Sequence, residues 1–201
     1  MSEEKVEFIS NDKIVLEGLF DPGTKKHGVI ITHPHPLYGG DMYNNVVETI
    51  KAGYYNKGYS TLRFNFRGVG ASGGDYGEGV GEQKDVIAAY EFYLKRGVDQ
   101  VDLCGYSFGT WINAQISDKI NVNSSIMISP PVAMMQFEPA FKIPHLKLAV
   151  TGSRDEFAPP EMLKQLVADW NIRADIKIID GADHFLSGYE SKLAEIIKEY
   201  I

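Results

Sequence analysis

Gln100-Val101-Asp102-Leu103-Cys104-Gly105-Tyr106-Ser107-Phe108-Gly109-Thr110-Trp111-Ile112-Asn113-Ala114 decides how this chain is read. The first part is a strand-like run, and the stretch from Phe108 onward reads as a helix. Between them stands a Gly-x-Ser-x-Gly pattern, in the strand-turn-helix setting that gives the motif its meaning. The glycines answer to crowding. A tight strand-to-helix turn strains the serine backbone, and side chains on the flanking positions would strike neighbouring main chain. The N–H of Phe108, at the start of the helix, can then point at a developing oxyanion. Ser107 is the expected nucleophile. Cys104 carries the better intrinsic nucleophile but lies within the strand, where small apolar residues belong, and reads as a buried core residue.

Outward from this turn, strands and helices alternate. Residues 6–9 and 14–20, separated by the turn pair Asn11-Asp12, read as an antiparallel hairpin. Val29-Ile30-Ile31 is continuously apolar and β-branched, as suits a strand buried on both faces of a parallel sheet. Helical spacing over 44–57 stops at Gly58. A strand at 61–66, a helix at 82–96 and the central strand at 100–105 follow. After the Phe108 helix come strands at 125–128 and 146–151, a helix at 160–170, a strand at 175–179 and a last helix at 188–200. This order predicts an α/β fold: one domain over residues 1–201, a mostly parallel sheet with an N-terminal antiparallel hairpin, and helices on both faces. In such sheets the working residues sit just past the C-terminal strand ends.

Composition removes several function classes. The chain has 201 residues, 44% of them hydrophobic, and a net charge of −7 with no basic face, which argues against nucleic-acid binding. No apolar run approaches the roughly 18 residues a membrane helix needs. The polar start Met1-Ser2-Glu3-Glu4-Lys5 does not resemble a signal peptide. A single cysteine fits a reducing compartment. The expectation is a cytoplasmic protein, monomeric or homodimeric, acting on a small molecule.

A serine hydroxyl needs a positioned base, and the base needs an orienting partner. Of five histidines, His184 lies in the loop after the last strand, whereas His27 and His145 fall at the other end of the sheet. For the acid, Leu146-Lys147-Leu148-Ala149-Val150-Thr151 runs into Gly152-Ser153-Arg154-Asp155, which places Asp155 past a strand end. Asp183, adjacent to His184, and Glu156 are its competitors. Adjacent loop residues rarely face one another, so Asp155 is preferred.

Residues 33–40, His-Pro-His-Pro-Leu-Tyr-Gly-Gly, follow the first buried strand, where a second oxyanion donor is expected. Pro34 and Pro36 have no N–H, so the donor must be His35, Leu37 or Tyr38. A metal at His33 and His35 is not expected, because spacing supplies no third and fourth ligand. Residues 68–73 match Gly-x-Gly-x-x-Gly, yet the glycine-rich 74–79 that follows cannot open the helix a dinucleotide site requires. That stretch reads as a loop tethered by Arg63 and Arg67, with Arg67 paired to Asp85 or Glu82.

Residues 33–40, the run Leu62-Arg63-Phe64-Asn65-Phe66-Arg67-Gly68-Val69-Gly70 and the Ser107 motif together resemble the small, cap-less α/β-hydrolases related to dienelactone hydrolase. The resemblance runs from about residue 5 to the C-terminus. It implies an α/β-hydrolase fold and an esterase-like activity without cofactor or metal. The implied triad is Ser107, Asp155 and His184, in the chain order of that fold. By analogy with related hydrolases, His35 joins Phe108 as oxyanion donor. True dienelactone hydrolases use a cysteine nucleophile, so their substrate is not carried over. Residues 129–144 leave room for only a short loop and no cap. Tyr38, Met134, Met135 and Phe137 are read as part of an open, shallow pocket for an ester or thioester, with packing on the core or on a dimer partner as the alternative.

Overall fold

Side chains alternate faces along a strand, and in the middle of this sheet both faces are apolar. In β3 (His27–Thr32), Ile30 joins one core while Val29 and Ile31 join another. The same sorting recurs in β5 (Gln100–Tyr106), where Val101 and Leu103 face one way and Cys104 and Tyr106 the other. Such strands must be covered on both sides. A computed structural model, which describes residues 3–137 and 142–201, shows how.

Eight strands form one sheet in the order β1-β2-β4-β3-β5-β6-β7-β8. β1 (Glu4–Ile9) and β2 (Val15–Asp21) make the expected hairpin, and β2 also runs antiparallel to β4 (Ser60–Phe64). From β4 through β3 and β5 to β6 (Ser124–Ile128), β7 (Leu146–Gly152) and β8 (Asp175–Ile179) every pairing is parallel. Helices α1 (Asn45–Asn56) and α5 (Glu190–Lys198) cover one face with Val46, Ile50, Leu193 and Ile197. On the other face lie α2 (Val80–Lys95) and α3 (Phe108–Gln115), contributing Val86, Tyr93, Phe108 and Ile112. α4 (Pro160–Trp170) packs Leu163, Val167 and Trp170 against Met127 and Ala149.

Two helix starts fall two residues from expectation. α2 starts at Val80 because the Glu82 carboxylate reaches back to the N–H groups of Gly77 and Gly79, 2.8 Å each, and so caps an earlier turn. α5 starts at Glu190 because Gly188 has φ 84°, outside the helical region.

The chain leaves β3 for β4 on one side and then returns to β5 on the other. Loops after β3 and β5 therefore part in opposite directions and open a crevice at the C-terminal strand ends. At its floor Thr32 pairs with Gly105. A Cβ on Gly105 would lie 2.7 Å from Thr110 N, and one on Gly109 would lie 2.5 Å from Thr32 Oγ1. The crowding read from the motif is thus a contact between α3 and β3.

Candidate active site

Ser107 occupies the turn between β5 and α3 with φ 51° and ψ −119°, a strained conformation for a non-glycine residue. Its N–H is anchored to Ile128 O at 2.9 Å, and its carbonyl accepts from the N–H and the hydroxyl of Thr110 at 2.9 and 2.6 Å. Ser107 Oγ lies 2.9 Å from His184 Nε2. His184 Nδ1 lies 2.9 and 3.1 Å from the two oxygens of Asp155. Asp155 Oδ1 also accepts the N–H groups of Phe157 and Ala158, at 3.0 and 2.8 Å. Burial pushes the Asp155 carboxyl up, but His184 and the Ala158 N–H outweigh it, so the net shift is downward and the group stays ionised.

The three residues come from the loops after β5, β7 and β8. Gly152 permits the last two to meet, since a Cβ there would lie 2.2 Å from Ala182 O. The competing acids are accounted for. Asp183 is exposed and accepts the N–H of Phe185 in its own turn at 3.0 Å, and Glu156 is exposed.

In the loop after β3, the Leu37 N–H donates to His35 Nδ1 at 3.2 Å, and the Tyr38 N–H to His35 O at 3.1 Å. Gly39 and Gly40 donate to Pro36 O and His35 O. Of the three possible donors, His35 alone has an N–H without an acceptor among the described residues. Its ring packs on Phe108, 4.7 Å between centroids, which ties the loop to the N-terminus of α3.

A cavity of about 530 Å³ opens over Ser107. Tyr38, Met134 and Met135 line it, as expected from sequence; Phe137 does not. Only 5% of Phe137 is exposed, and its ring lies against Trp170 at 5.0 Å in the core beneath α4. Phe157 and Phe185 line the cavity instead, together with Phe108 and Pro131. The sequence reading passed over both, although one stands two residues after Asp155 and the other directly after His184.

No family model matches the chain. An uncharacterised protein of Rickettsia prowazekii (strain Madrid E) is 33% identical over 199 residues, spanning 92% of this chain and 84% of its own. An alpha-beta serine hydrolase homologue from Coxiella burnetii superposes with a TM-score of 0.92 at 33% identity, over 100% of this chain and 98% of that one. The chain belongs to the α/β-hydrolase family. A Xanthomonas campestris α/β serine hydrolase described as lacking a lid shares the fold at TM-score 0.91 and 24% identity, over 99% and 93% of the two chains. In this α/β hydrolase too, the described part of 129–145 forms only turns, with no helix or strand above the cavity.

The remaining residues of interest are structural. His33 is fully buried, with Nδ1 2.6 Å from Pro34 O and Nε2 accepting the Phe66 N–H at 3.0 Å, so both ring nitrogens are engaged. Among the described residues, no three His, Cys, Asp or Glu side chains gather as a metal site. No helix among them is long and apolar enough to cross a membrane. Residues 68–73 form a loop whose Gly73 N–H donates to Val15 O at 2.8 Å, and the next helix begins only at Val80. Arg67 pairs with Asp85 at 2.7 Å and with Asp12 at 3.0 Å, leaving Glu82 to its cap. Arg63 does not tether this loop. It binds Glu3, Glu48 and the Met42 carbonyl, joining the N-terminus to α1. His27 meets Asp102 at 3.0 Å at the opposite end of the sheet. The Cys104 thiol is buried, which raises its pKa and keeps it protonated.

Proposed function

We propose that this chain is a carboxylic-ester hydrolase that works on small or medium acyl groups through an acyl-enzyme. The reading rests above all on the unbroken hydrogen-bond chain Asp155–His184–Ser107 at the floor of an apolar cavity. Ser107 Oγ attacks the ester carbonyl carbon while His184 Nε2 takes its proton. Asp155, ionised, holds Nδ1–H and stabilises the imidazolium. The N–H groups of Phe108 and His35 stabilise the tetrahedral oxyanion. Collapse expels the alcohol, which leaves with the proton from His184. Water, activated by the same imidazole, then attacks the acyl-serine and releases the acid.

A thioester would follow the same steps. The chain order, the 33–40 loop and the open cavity favour a dienelactone hydrolase-like grouping within this reading. The single buried Cys104 accords with a cytoplasmic location. The test is labelling by a fluorophosphonate probe followed by hydrolysis of an ester panel. Wild type should label and turn over; Ser107→Ala should do neither. An unlabelled wild type would overturn the proposal in favour of a non-catalytic binding role for the scaffold.

A further inference from the structure

The cavity over Ser107 is framed by aromatic and thioether groups, and among the described residues no Lys, Arg, Asp or Glu lines it. Acidic side chains stand behind its walls. Glu82 acts on His35, Glu82 and Glu78 act on Tyr76 behind it, and Asp155 and Asp183 act on Tyr106. Arg67 is committed to Asp85 and Asp12, and Arg63 to Glu3 and Glu48, while Arg154, beside Asp155, is exposed and does not line the cavity.

Resting on the ester-hydrolase reading, we propose that this site takes esters with an uncharged acyl part and rejects acyl groups or carriers that bear a carboxylate or phosphate. A carboxylate entering such a cavity loses hydration without meeting a counter-charge. It also approaches acidic neighbours within a chain of net charge −7. The two oxyanion N–H groups offer no relief, because the scissile carbonyl oxygen occupies them. Thioesters on a nucleotide carrier fall under the same exclusion, whereas short neutral thioesters do not.

The measurement compares matched pairs on the wild-type protein at pH 7. One pair is the p-nitrophenyl monoester of adipic acid and its methyl-capped diester, which differ in one charge. The other is butyryl-coenzyme A and the butyryl thioester of N-acetylcysteamine. The neutral member of each pair should have the higher kcat/KM, by at least 100-fold for adipate. Met134→Lys, which puts an ammonium at the cavity mouth, should raise turnover of the anionic adipate at least tenfold, with the gain fading as salt is added. Equal kcat/KM within a pair would overturn the charge selection while leaving ester hydrolysis intact. Loss of both turnover and fluorophosphonate labelling would overturn the ester-hydrolase reading, and this inference with it.

Discussion

The Tyr106 hydroxyl donates to the carbonyl oxygen of His184 across 3.0 Å, so the residue just before Ser107 holds the main chain of the residue whose ring meets Ser107 Oγ. Both partners are buried. Tyr106→Phe removes the donor and leaves a buried carbonyl unpaired, a cost of about 1–3 kcal/mol. The loop carrying His184 then loses one of its fastenings. We expect kcat on a neutral ester to fall about tenfold with KM unchanged, as steady-state kinetics will read. A loss of stability with kcat intact would show that the contact serves folding alone.

Asp155 and Asp183 offer a direct comparison. Asp155→Asn keeps the shape but turns one oxygen into an NH₂ group facing His184 Nδ1, which favours the wrong tautomer. If the proposed Ser107–His184–Asp155 triad operates, that substitution should lower kcat by about 10⁴-fold. Asp183→Asn keeps an oxygen to accept the Phe185 N–H and should stay within about threefold of wild type, since its side chain is exposed. Kinetics on the pair discriminate between them.

His33 makes stability depend on pH. Burial lowers its pKa from the ordinary 6.5 to about 4, in keeping with a neutral ring whose Nε2 accepts the Phe66 N–H. Between pH 4 and 6.5 the unfolded chain binds more protons at this site than the folded one, so stability rises with pH. The contribution is complete above pH 6.5 and is lost on descending to about 4, for a total of about 3 kcal/mol. Urea midpoints from pH 4.5 to 8 should show this slope in wild type. His33→Gln, though less stable throughout, should show a flatter one.

Phe137 and Met134 separate core from cavity. Phe137→Ala empties a site beside Trp170 and should cost about 3–5 kcal/mol in urea unfolding. Met134 is 65% exposed at the cavity mouth, so Met134→Ala should leave stability within about 0.5 kcal/mol and raise KM for neutral esters.

Much of this was legible in the sequence because it depends on neighbours a few residues apart. Strand and helix periods placed every strand and α-helix within two residues, though not the short 3-10 turn at Pro36–Tyr38. The glycines of the Ser107 turn announced a close approach before its partner, Thr32, was known. Asp155 and His184 were selected by standing past strand ends, a rule of topology that needs no coordinates.

Other features were decided only in three dimensions. Asp155 and His184 are 29 residues apart, and their contact exists because β7 and β8 pair in register and Gly152 lets the two loops meet. The His35 N–H stands out only after the neighbouring N–H groups have found acceptors. Phe137 and Phe157 are both aromatic residues in loops beside the site, yet one packs under α4 and the other lines the cavity against the His184 ring. Arg63 and Arg67 are four residues apart and serve different ends of the sheet's edge. By itself, then, the sequence determined the elements, their order and the Ser107 turn, because those follow from local sterics and hydrophobic spacing. The tertiary structure decided which loop side chains face the cavity, because that depends on packing between segments far apart in the chain.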